Sequence, residues 1–263
     1  MGVINLTPDS FSDGGDFWDL PKVINRIRHL VEVGADYIDI GAESTRPGAK
    51  RISPETEWAR LEPVFNELYK LDLKKSKISL DSRNAPTLIK SCATGFVSMI
   101  NDVSGVQCID TLRECLESAK AKGIRLKYCA MHMHQTPELM QTSPLCGNEA
   151  VASCETFFHT ATEKLLKVGY RAQDVFVDPG IGFGKDDKAN LLLINEAKNW
   201  AKRFNLLYGV SRKSFIGRLL DIDQPKLRDN PSKAFEISLA MMGASIIRTH
   251  DADSLIKTRD VIR

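Results

Sequence analysis

Polar and charged side chains follow nearly every short apolar run in this chain. They include carboxylates, amides, cations and histidines, so the set can accept and donate hydrogen bonds and carry both signs of charge. In chain order they are Asn5; Glu43, Ser44 and Thr45; Asp81; Asn101 and Asp102; His132; Asp178; Ser211, Arg212 and Lys213; and Arg248 and His250. Unpaired charges are costly to bury, so a convergent set of both signs predicts a polar ligand that pairs with them.

One group of these residues favours a flat, nitrogen-rich ring as ligand. Asp81, Asn101 and Asp178 offer acceptors and one amide. Carboxylates can accept paired N–H bonds from one edge of an amino-substituted heterocycle, and a site built on such bonds rejects analogues that lack the donors. Lys213 has the reach and charge to bind a carbonyl or ring nitrogen of the same ligand. These four residues predict a heterocycle site.

A second group favours phosphate. Arg248 and His250 alternate on the last apolar run, so both side chains are predicted to point to one face of a strand. Asn5 ends the first run, which neighbours the last in a barrel. Arginine suits phosphate through its planar fork, and phosphate sites of many parallel barrels lie near the last two strands. The two groups together predict a ligand with a heteroaromatic head and a phosphate tail.

The scaffold that must position these groups alternates strands with helices. Predicted strands cover residues 1–5, 36–41, 77–81, 98–102, 126–133, 175–180, 207–211 and 245–250. Predicted helices cover residues 21–34, 54–71, 85–95, 111–123, 149–169, 188–204, 231–243 and 252–263. Eight such units predict a parallel sheet with right-handed crossovers. At 263 residues they fit an α/β fold of one (β/α)8 TIM barrel, a single domain over residues 1–263, whose active site lies at the carboxyl ends of the strands. A doubly wound sheet is the alternative, but no GxGxxG follows the first strand.

The composition predicts an ordinary water-soluble protein without nucleic-acid or membrane partners. It is 43% hydrophobic and 27% charged with a net charge of +2, and no apolar run approaches the roughly 20 residues of a membrane span. The start shows no basic segment followed by an apolar one, so no signal peptide is expected. Six cysteines without a CxxC pair predict reduced thiols and a cytoplasmic location. The short first unit leaves open whether residues precede Met1.

Two long segments after the first two strands are predicted to act as lids. They are NLTPDSFSDGG at residues 5–15 and ESTRPGAKRISPE at residues 43–55, and they contain Phe11, Asp13 and Arg46. Ordinary βα loops run about 2–6 residues, and longer ones often close over a reaction. A flexible surface loop without a role is the alternative.

Six strings in order carry a family resemblance. They are NLTPDSFSDGG, GAESTRPGA, INDVSG, DPGIGFGK, SRKSFIG and IIRTHD, each at the end of a predicted strand. With them the chain resembles the dihydropteroate synthase family over essentially its whole length. The resemblance implies a transferase of folate biosynthesis that condenses p-aminobenzoate with 6-hydroxymethyl-7,8-dihydropterin diphosphate, giving 7,8-dihydropteroate and pyrophosphate.

The resemblance also implies a role for each matched residue. The pterin is expected on Asp81, Asn101, Asp178 and Lys213. The diphosphate is expected on Asn5, Arg248 and His250, with Mg²⁺ as cofactor near Asn5. The p-aminobenzoate site, where sulfonamides compete, is expected at Thr45, Arg46, Phe183, Lys213 and Ser214. The implied catalytic set is Asp178, Lys213, Arg248 and His250 with Phe11, Asp13 and Arg46 from the closing loops. A homodimer through late helices is implied as well.

One departure and three alternatives remain open. His134-Gln135 stands where the family usually has Gln-Gly, which leaves the conformation of that loop undetermined. His132 and His134 could suggest a metal pair, but no carboxylate or cysteine accompanies them. The alternative functions are a methyltetrahydrofolate-dependent corrinoid methyltransferase, a non-catalytic pterin-binding barrel, and one domain of a larger folate enzyme. The methyltransferase would have no use for Arg248 and His250.

Overall fold

Eight parallel strands form one sheet in the computed structural model, which describes residues 1–7, 19–45, 48–135 and 142–262. They are β1 (Gly2–Asn5), β2 (Tyr37–Gly41), β3 (Lys77–Asp81), β4 (Val97–Asp102), β5 (Lys127–Met131), β6 (Val175–Asp178), β7 (Asn205–Tyr208) and β8 (Ile246–Ile247). All eight predicted strands are confirmed. β7 lies slightly earlier than predicted, and β8 is shorter, because it ends before Arg248.

The strands are ordered as in the sequence, each paired in parallel with the next. A parallel bridge between Gly2 and Thr249 joins β1 to the residues that follow β8. The Val3 amide donates to the Thr249 carbonyl at 3.1 Å, and the Thr249 amide donates to the Met1 carbonyl at 3.0 Å. This order agrees with the predicted (β/α)8 arrangement and excludes the doubly wound alternative, whose strand order reverses part-way across the sheet.

Helices follow the strands as the periodicity predicts. They are α1 (Leu20–Glu32), α2 (Pro54–Leu68), α3 (Ala85–Ala93), α4 (Ile109–Ala121), α5 (Gly147–Val168), α6 (Asp187–Asn195), α7 (Ala197–Trp200), α8 (Ser214–Leu220), α9 (Asp229–Met241) and α10 (Ala252–Ile262). Side chains of Asp19, Ser53 and Asp186 cap the first turns of α1, α2 and α6. The helix predicted over 188–204 is two helices that meet at Glu196, and α8 was not predicted. Within the described ranges, no helix is both long and apolar enough to cross a membrane.

The apolar core has two levels that matter for the site. Two large clusters lie between the strands and the helices, where residues such as Ile38, Leu80 and Ile100 are fully buried. A smaller cluster contains Met1, Tyr37, Met99, Cys129, Phe176, Leu207 and Ile246. Side chains two residues apart on a strand share a face. Asn101, Asp178 and Arg248 each follow a member of this smaller cluster by two residues, so the cluster is an apolar floor beneath them.

Candidate active site at the carboxyl ends of the strands

The strand register brings the predicted polar residues into one row. Asn5 is the Cα partner of Gly41, Gly41 of Asp81, and Asp81 of Asn101. Across the sheet, Met131 is the partner of Asp178. Asn101 and Asp178 are buried, so their polar groups face protein rather than bulk water. The carboxyl ends of the strands therefore form a single polar rim above the apolar floor.

Arg248 lies between two carboxylates. Its Nε donates to Asp39 Oδ2 at 2.6 Å, and its Nη2 donates to Asp81 Oδ2 at 2.8 Å. Burial raises the pKa of Asp81, and the Arg248 charge opposes that rise. Burial lowers the pKa of Arg248, but the charges of Asp39 and Asp81 together outweigh this and raise the pKa above its usual value, so the guanidinium stays protonated. The structure thus brings Arg248 onto the predicted heterocycle residue Asp81, not into a separate anion site.

Asp39 is a site residue that the sequence reading missed. It lies within β2, two residues before the strand ends, and its side chain is 0% exposed. Its Oδ2 also accepts a hydrogen bond from Asn101 Nδ2 at 3.1 Å. A carboxylate inside an otherwise apolar strand is costly unless it is paired, and that was the signal in YIDIG that could have revealed it.

His250 takes a different partner from Arg248, contrary to the prediction that the two share one strand face. β8 ends at Ile247, so both residues lie in the segment that follows it. His250 Nδ1 is 3.0 Å from Ser211 Oγ. Burial, with the Arg212 and Arg248 charges, lowers the pKa of His250 to about 3. The imidazole is therefore neutral near pH 7 and can serve an anion only through a hydrogen bond.

Asp178 and Lys213 are brought together on the other side of the rim. Asp178 Oδ1 accepts a hydrogen bond from the Gly180 amide at 2.7 Å. Burial raises the pKa of Asp178 to about 6, and the Gly180 bond and the Lys213 charge oppose this rise. Burial lowers the pKa of Lys213 to about 8, and Asp178 opposes that fall. The Lys213 ammonium lies 4.1 Å from the centre of the Phe183 ring, a cation–π contact between two predicted site residues.

Lys185 is a second residue that the sequence reading did not select. It is 2% exposed, and its Nζ donates to the carbonyls of His132 at 3.3 Å, Gly180 at 3.1 Å and Phe183 at 2.8 Å. These bonds tie the loop after β6 to the end of β5. The string DPGIGFGK contained the signal, because a lysine in a glycine-rich turn after a buried strand can reach backbone carbonyls.

The remaining predicted residues that the structure describes are Thr45 and Ser214. Thr45 is half-buried after β2, and Ser214 is exposed as the first residue of α8. The loop that carries Thr45 is held by Glu43, which accepts from Arg83 Nη2 at 2.9 Å and Nε at 3.1 Å. Phe11, Asp13 and Arg46 lie outside the described residues.

Asn5 is a weak metal ligand by itself. Among the described residues, no group of three or more His, Cys, Asp or Glu side chains could hold a metal ion. Mg²⁺ in proteins is commonly held by one or two carboxylates together with substrate phosphates. A single amide therefore fits only an ion that arrives with a diphosphate. His132 Nε2 is 3.0 Å from Ser153 Oγ, and burial lowers its pKa to about 3, so the ring is neutral and this nitrogen is paired with a serine.

The chain matches the model of the pterin binding enzyme family over residues 1–250. It is 36% identical over 254 residues to dihydropteroate synthase of Neisseria meningitidis serogroup C, covering 95% of this chain and 87% of that protein. The chain belongs to the dihydropteroate synthase family. The predicted resemblance is confirmed, and the membership makes the chain a transferase of folate synthesis.

Solved structures of the dihydropteroate synthase family share the fold. The Yersinia pestis enzyme, solved with a sulfonamide drug, superposes with a TM-score of 0.84 at 34% identity, covering 100% of this chain and 92% of that one. The Xanthomonas albilineans enzyme, solved with 4-aminobenzoic acid, superposes with a TM-score of 0.86 at 30% identity, covering 100% and 90%. Similarity to synthases over the whole chain favours this family over the methyltransferase alternative.

Proposed function

We propose that the chain condenses p-aminobenzoate with 6-hydroxymethyl-7,8-dihydropterin diphosphate, releasing pyrophosphate. Family membership supplies the class of reaction. The observation that carries the substrate assignment is the set Asp81, Asn101 and Asp178, placed with Lys213 and Arg248 above an apolar floor; Asn101 and Asp178 are buried and Asp81 is half-buried. Such a set suits a flat ring whose edge donates several N–H bonds and whose tail is anionic.

We assign the two organic substrates to adjacent parts of the rim. Asp81, Asn101, Asp178 and Lys213 bind the pterin, because they supply acceptors and one cation close to the floor. Thr45, Arg46, Phe183, Lys213 and Ser214 line the p-aminobenzoate site. The stacking of Lys213 on Phe183 supports the shared boundary, since one cation then reaches both substrates. The 4-aminobenzoic acid and sulfonamide bound to the two related enzymes support an arylamine site in this fold.

The proposed mechanism needs no covalent enzyme intermediate. Arg248 donates N–H bonds to the leaving diphosphate, and neutral His250 with Asn5 adds hydrogen bonds, so the bond between the methylene carbon and the diphosphate oxygen breaks with its electron pair on oxygen. The electron-rich dihydropterin delocalises the positive charge on the methylene carbon, and ionised Asp178 stabilises it. The amine nitrogen of p-aminobenzoate then forms the new C–N bond and loses a proton. Phe11, Asp13 and Arg46 are proposed to exclude water, which would otherwise capture the cation.

The same proposal includes the metal ion, the closed barrel, the oligomeric state and the cellular location. Mg²⁺ bound to the diphosphate near Asn5 would neutralise charge on the leaving group. The bridge from Gly2 to Thr249 supports one closed barrel formed by all eight strands as a single domain. A homodimer through the late helices is supported by exposed apolar side chains on that part of the chain, such as Leu227 and Met241. The scattered, unpaired cysteines support a reducing, cytoplasmic location.

The test follows pyrophosphate release from dihydropterin diphosphate and Mg²⁺, with and without p-aminobenzoate. Release should depend on p-aminobenzoate and fall by about 100-fold or more in Arg248→Ala, because a preorganised donor to the leaving group is lost. Arg171→Ala is the matched control, since Arg171 also pairs with an aspartate, Asp174, before β6 at the opposite end of the strands. A folded protein that binds the pterin but releases nothing would leave the non-catalytic barrel or the methyltransferase as the better description.

A further inference from the structure

Asp39 occupies a level below the rim at which the pterin is proposed to bind. It precedes Gly41 by two residues on β2, and Gly41 is the residue that pairs with Asp81. A Cβ at Gly41 would lie 3.0 Å from Asp81 Cβ, and because residue 41 is glycine it places no side chain between the two carboxylates. The Arg248 guanidinium uses that opening to reach both of them.

The contacts of Arg248 conflict with the proposed role of Asp81. Asp81 Oδ2 accepts from Arg248 Nη2, yet a bound pterin needs the same carboxylate as an acceptor. If Asp81 were the only partner of Arg248, pterin binding would leave a half-buried guanidinium without a counter-ion, which is unfavourable. Asp39 removes this conflict, because it holds Arg248 Nε independently at 2.6 Å.

Asp39 also has acceptor capacity to spare. Its Oδ2 already accepts from Arg248 and Asn101. Its Oδ1 is buried and has no hydrogen-bond partner among the described residues. A carboxylate can accept a guanidinium through both oxygens, so Oδ1 can take the N–H that leaves Asp81. The opposite edge of the guanidinium then stays directed toward the rim.

We infer that Asp39 is a positioning residue of the transfer reaction: it keeps Arg248 in place when the pterin takes Asp81 from the arginine. This inference rests on the proposed function. Binding of the pterin ring by Asp81 is thereby coupled to the position of the Arg248 guanidinium, which is proposed to bind the diphosphate. Without the charge of Asp39, Arg248 pairs with Asp81 alone, and the incoming pterin must compete with it.

The test is a calorimetric titration of the protein with dihydropterin diphosphate and Mg²⁺, alongside steady-state kinetics. Asp39→Asn keeps the shape of the side chain and removes its charge. We expect it to weaken binding and lower kcat, together reducing kcat/KM for the pterin substrate about 100-fold, as displacement of one oriented group commonly does. The KM for p-aminobenzoate at saturating pterin should change less than about two-fold, because its proposed site does not involve Asp39.

Asp174→Asn is the control for a merely structural effect. Asp174 is buried and paired with Arg125 and Arg171, but it precedes β6 at the other end of the strands. An equal loss of kcat/KM in both variants, or equal effects on both substrates, would overturn the inference. Binding by the wild type without pyrophosphate release would instead overturn the proposed function, while the titration still tests Asp39.

The double variant Asp39→Asn, Arg248→Gln guards against misfolding of the single one, because no lone buried charge of that pair remains. If Asp39 acts through Arg248, the double variant should bind dihydropterin diphosphate about as weakly as Arg248→Gln. A further ten-fold loss in the double variant would show that Asp39 acts independently of the arginine, against the inference.

Discussion

Asp178 and Lys213 have opposite charges and opposite pKa shifts. Burial penalises the charged form of each, which raises the pKa of the acid to about 6 and lowers that of the base to about 8. Both groups are charged only between these values. The proposed pterin site therefore has its working charge state in a window around neutral pH.

The first prediction is a bell-shaped dependence of kcat/KM on pH. As the pH falls, Asp81, whose pKa burial raises to about 7, and then Asp178 below about pH 6 gain protons and stop accepting the pterin N–H bonds; above about pH 8 Lys213 loses its charge. Initial rates at low dihydropterin diphosphate between pH 5 and 9.5 measure both limbs. In Lys213→Arg the alkaline limb should move beyond the range, because a guanidinium stays protonated. An unmoved limb would assign it to Lys185, whose pKa is also lowered to about 8 by burial, or to the substrate.

Site residues differ in how easily they can be predicted from the sequence. Asp81 and Asp178 end their strands, where a polar residue interrupts an apolar run and stands out. Asp39 lies within its run, and its value to the site comes from Arg248, which is 209 positions away in sequence. A partner at that distance is brought close only when the last strand meets the first ones, and it leaves no local sequence pattern. The sequence analysis therefore placed Arg248 in the phosphate group and did not predict that it also contacts Asp81 of the heterocycle group.

At the level of elements, the loop after β6 is fitted closely against the end of β5. Gly180 has φ of 64°, and a Cβ there would lie 2.0 Å from the His132 carbonyl oxygen. Lys185 Nζ donates to the carbonyl oxygens of these two residues, His132 and Gly180. Asp178 and Phe183 flank this contact, so the loop orients one residue of each proposed substrate site.

The second prediction concerns Gly180→Ala, with Gly123→Ala as its control. Both glycines have left-handed backbone, but a Cβ at Gly123 would meet nothing within 4 Å. Gly123→Ala should lower the free energy of unfolding by about 1–2 kcal/mol, the strain of a left-handed non-glycine residue. Gly180→Ala should cost more, since the loop must also move from β5, and it should raise KM for both substrates. Urea unfolding and kinetics measure this, and equal losses of stability would refute the close fit.

Elements were predicted well where their patterns were long. Most strands contain β-branched residues, α1 to α5 bury apolar residues on one face, and a glycine follows α1, α3, α4 and α5 within two residues. The break at Glu196 was missed because residues 188–204 keep a helical period on both sides of it. Helix α8 has seven residues, too few for a periodic pattern to separate it from a loop.

At the scale of the whole molecule, the described surface carries apolar side chains late in the chain. Leu227 is 63% exposed and Met241 is 77% exposed, next to and at the end of α9. Isolated exposed apolar residues are common in proteins, but a subunit contact is one way to cover them.

The third prediction follows from the proposed homodimer. Sedimentation equilibrium should give about twice the chain mass of 29.3 kDa. The double variant Leu227→Asp, Met241→Asp should shift the protein toward monomer, because burying a charge at an interface is costly. Leu166→Asp, on α5 at 43% exposure, is the control and should leave the mass unchanged. A wild type that sediments as a monomer would contradict the proposed dimer.

The backbone conformation of Gln135 limits which substitutions are tolerated in its neighbourhood. The residue has φ of 63°, so it keeps left-handed backbone at the position where the family resemblance leads us to expect glycine. A non-glycine residue there costs roughly 1–2 kcal/mol, which neighbouring contacts must impose. One neighbour is Gly184, where a Cβ would lie 2.5 Å from the His134 carbonyl oxygen. A side chain at residue 184 would therefore require residues 134–135 to change shape, so substitutions in these two loops are expected to depend on each other.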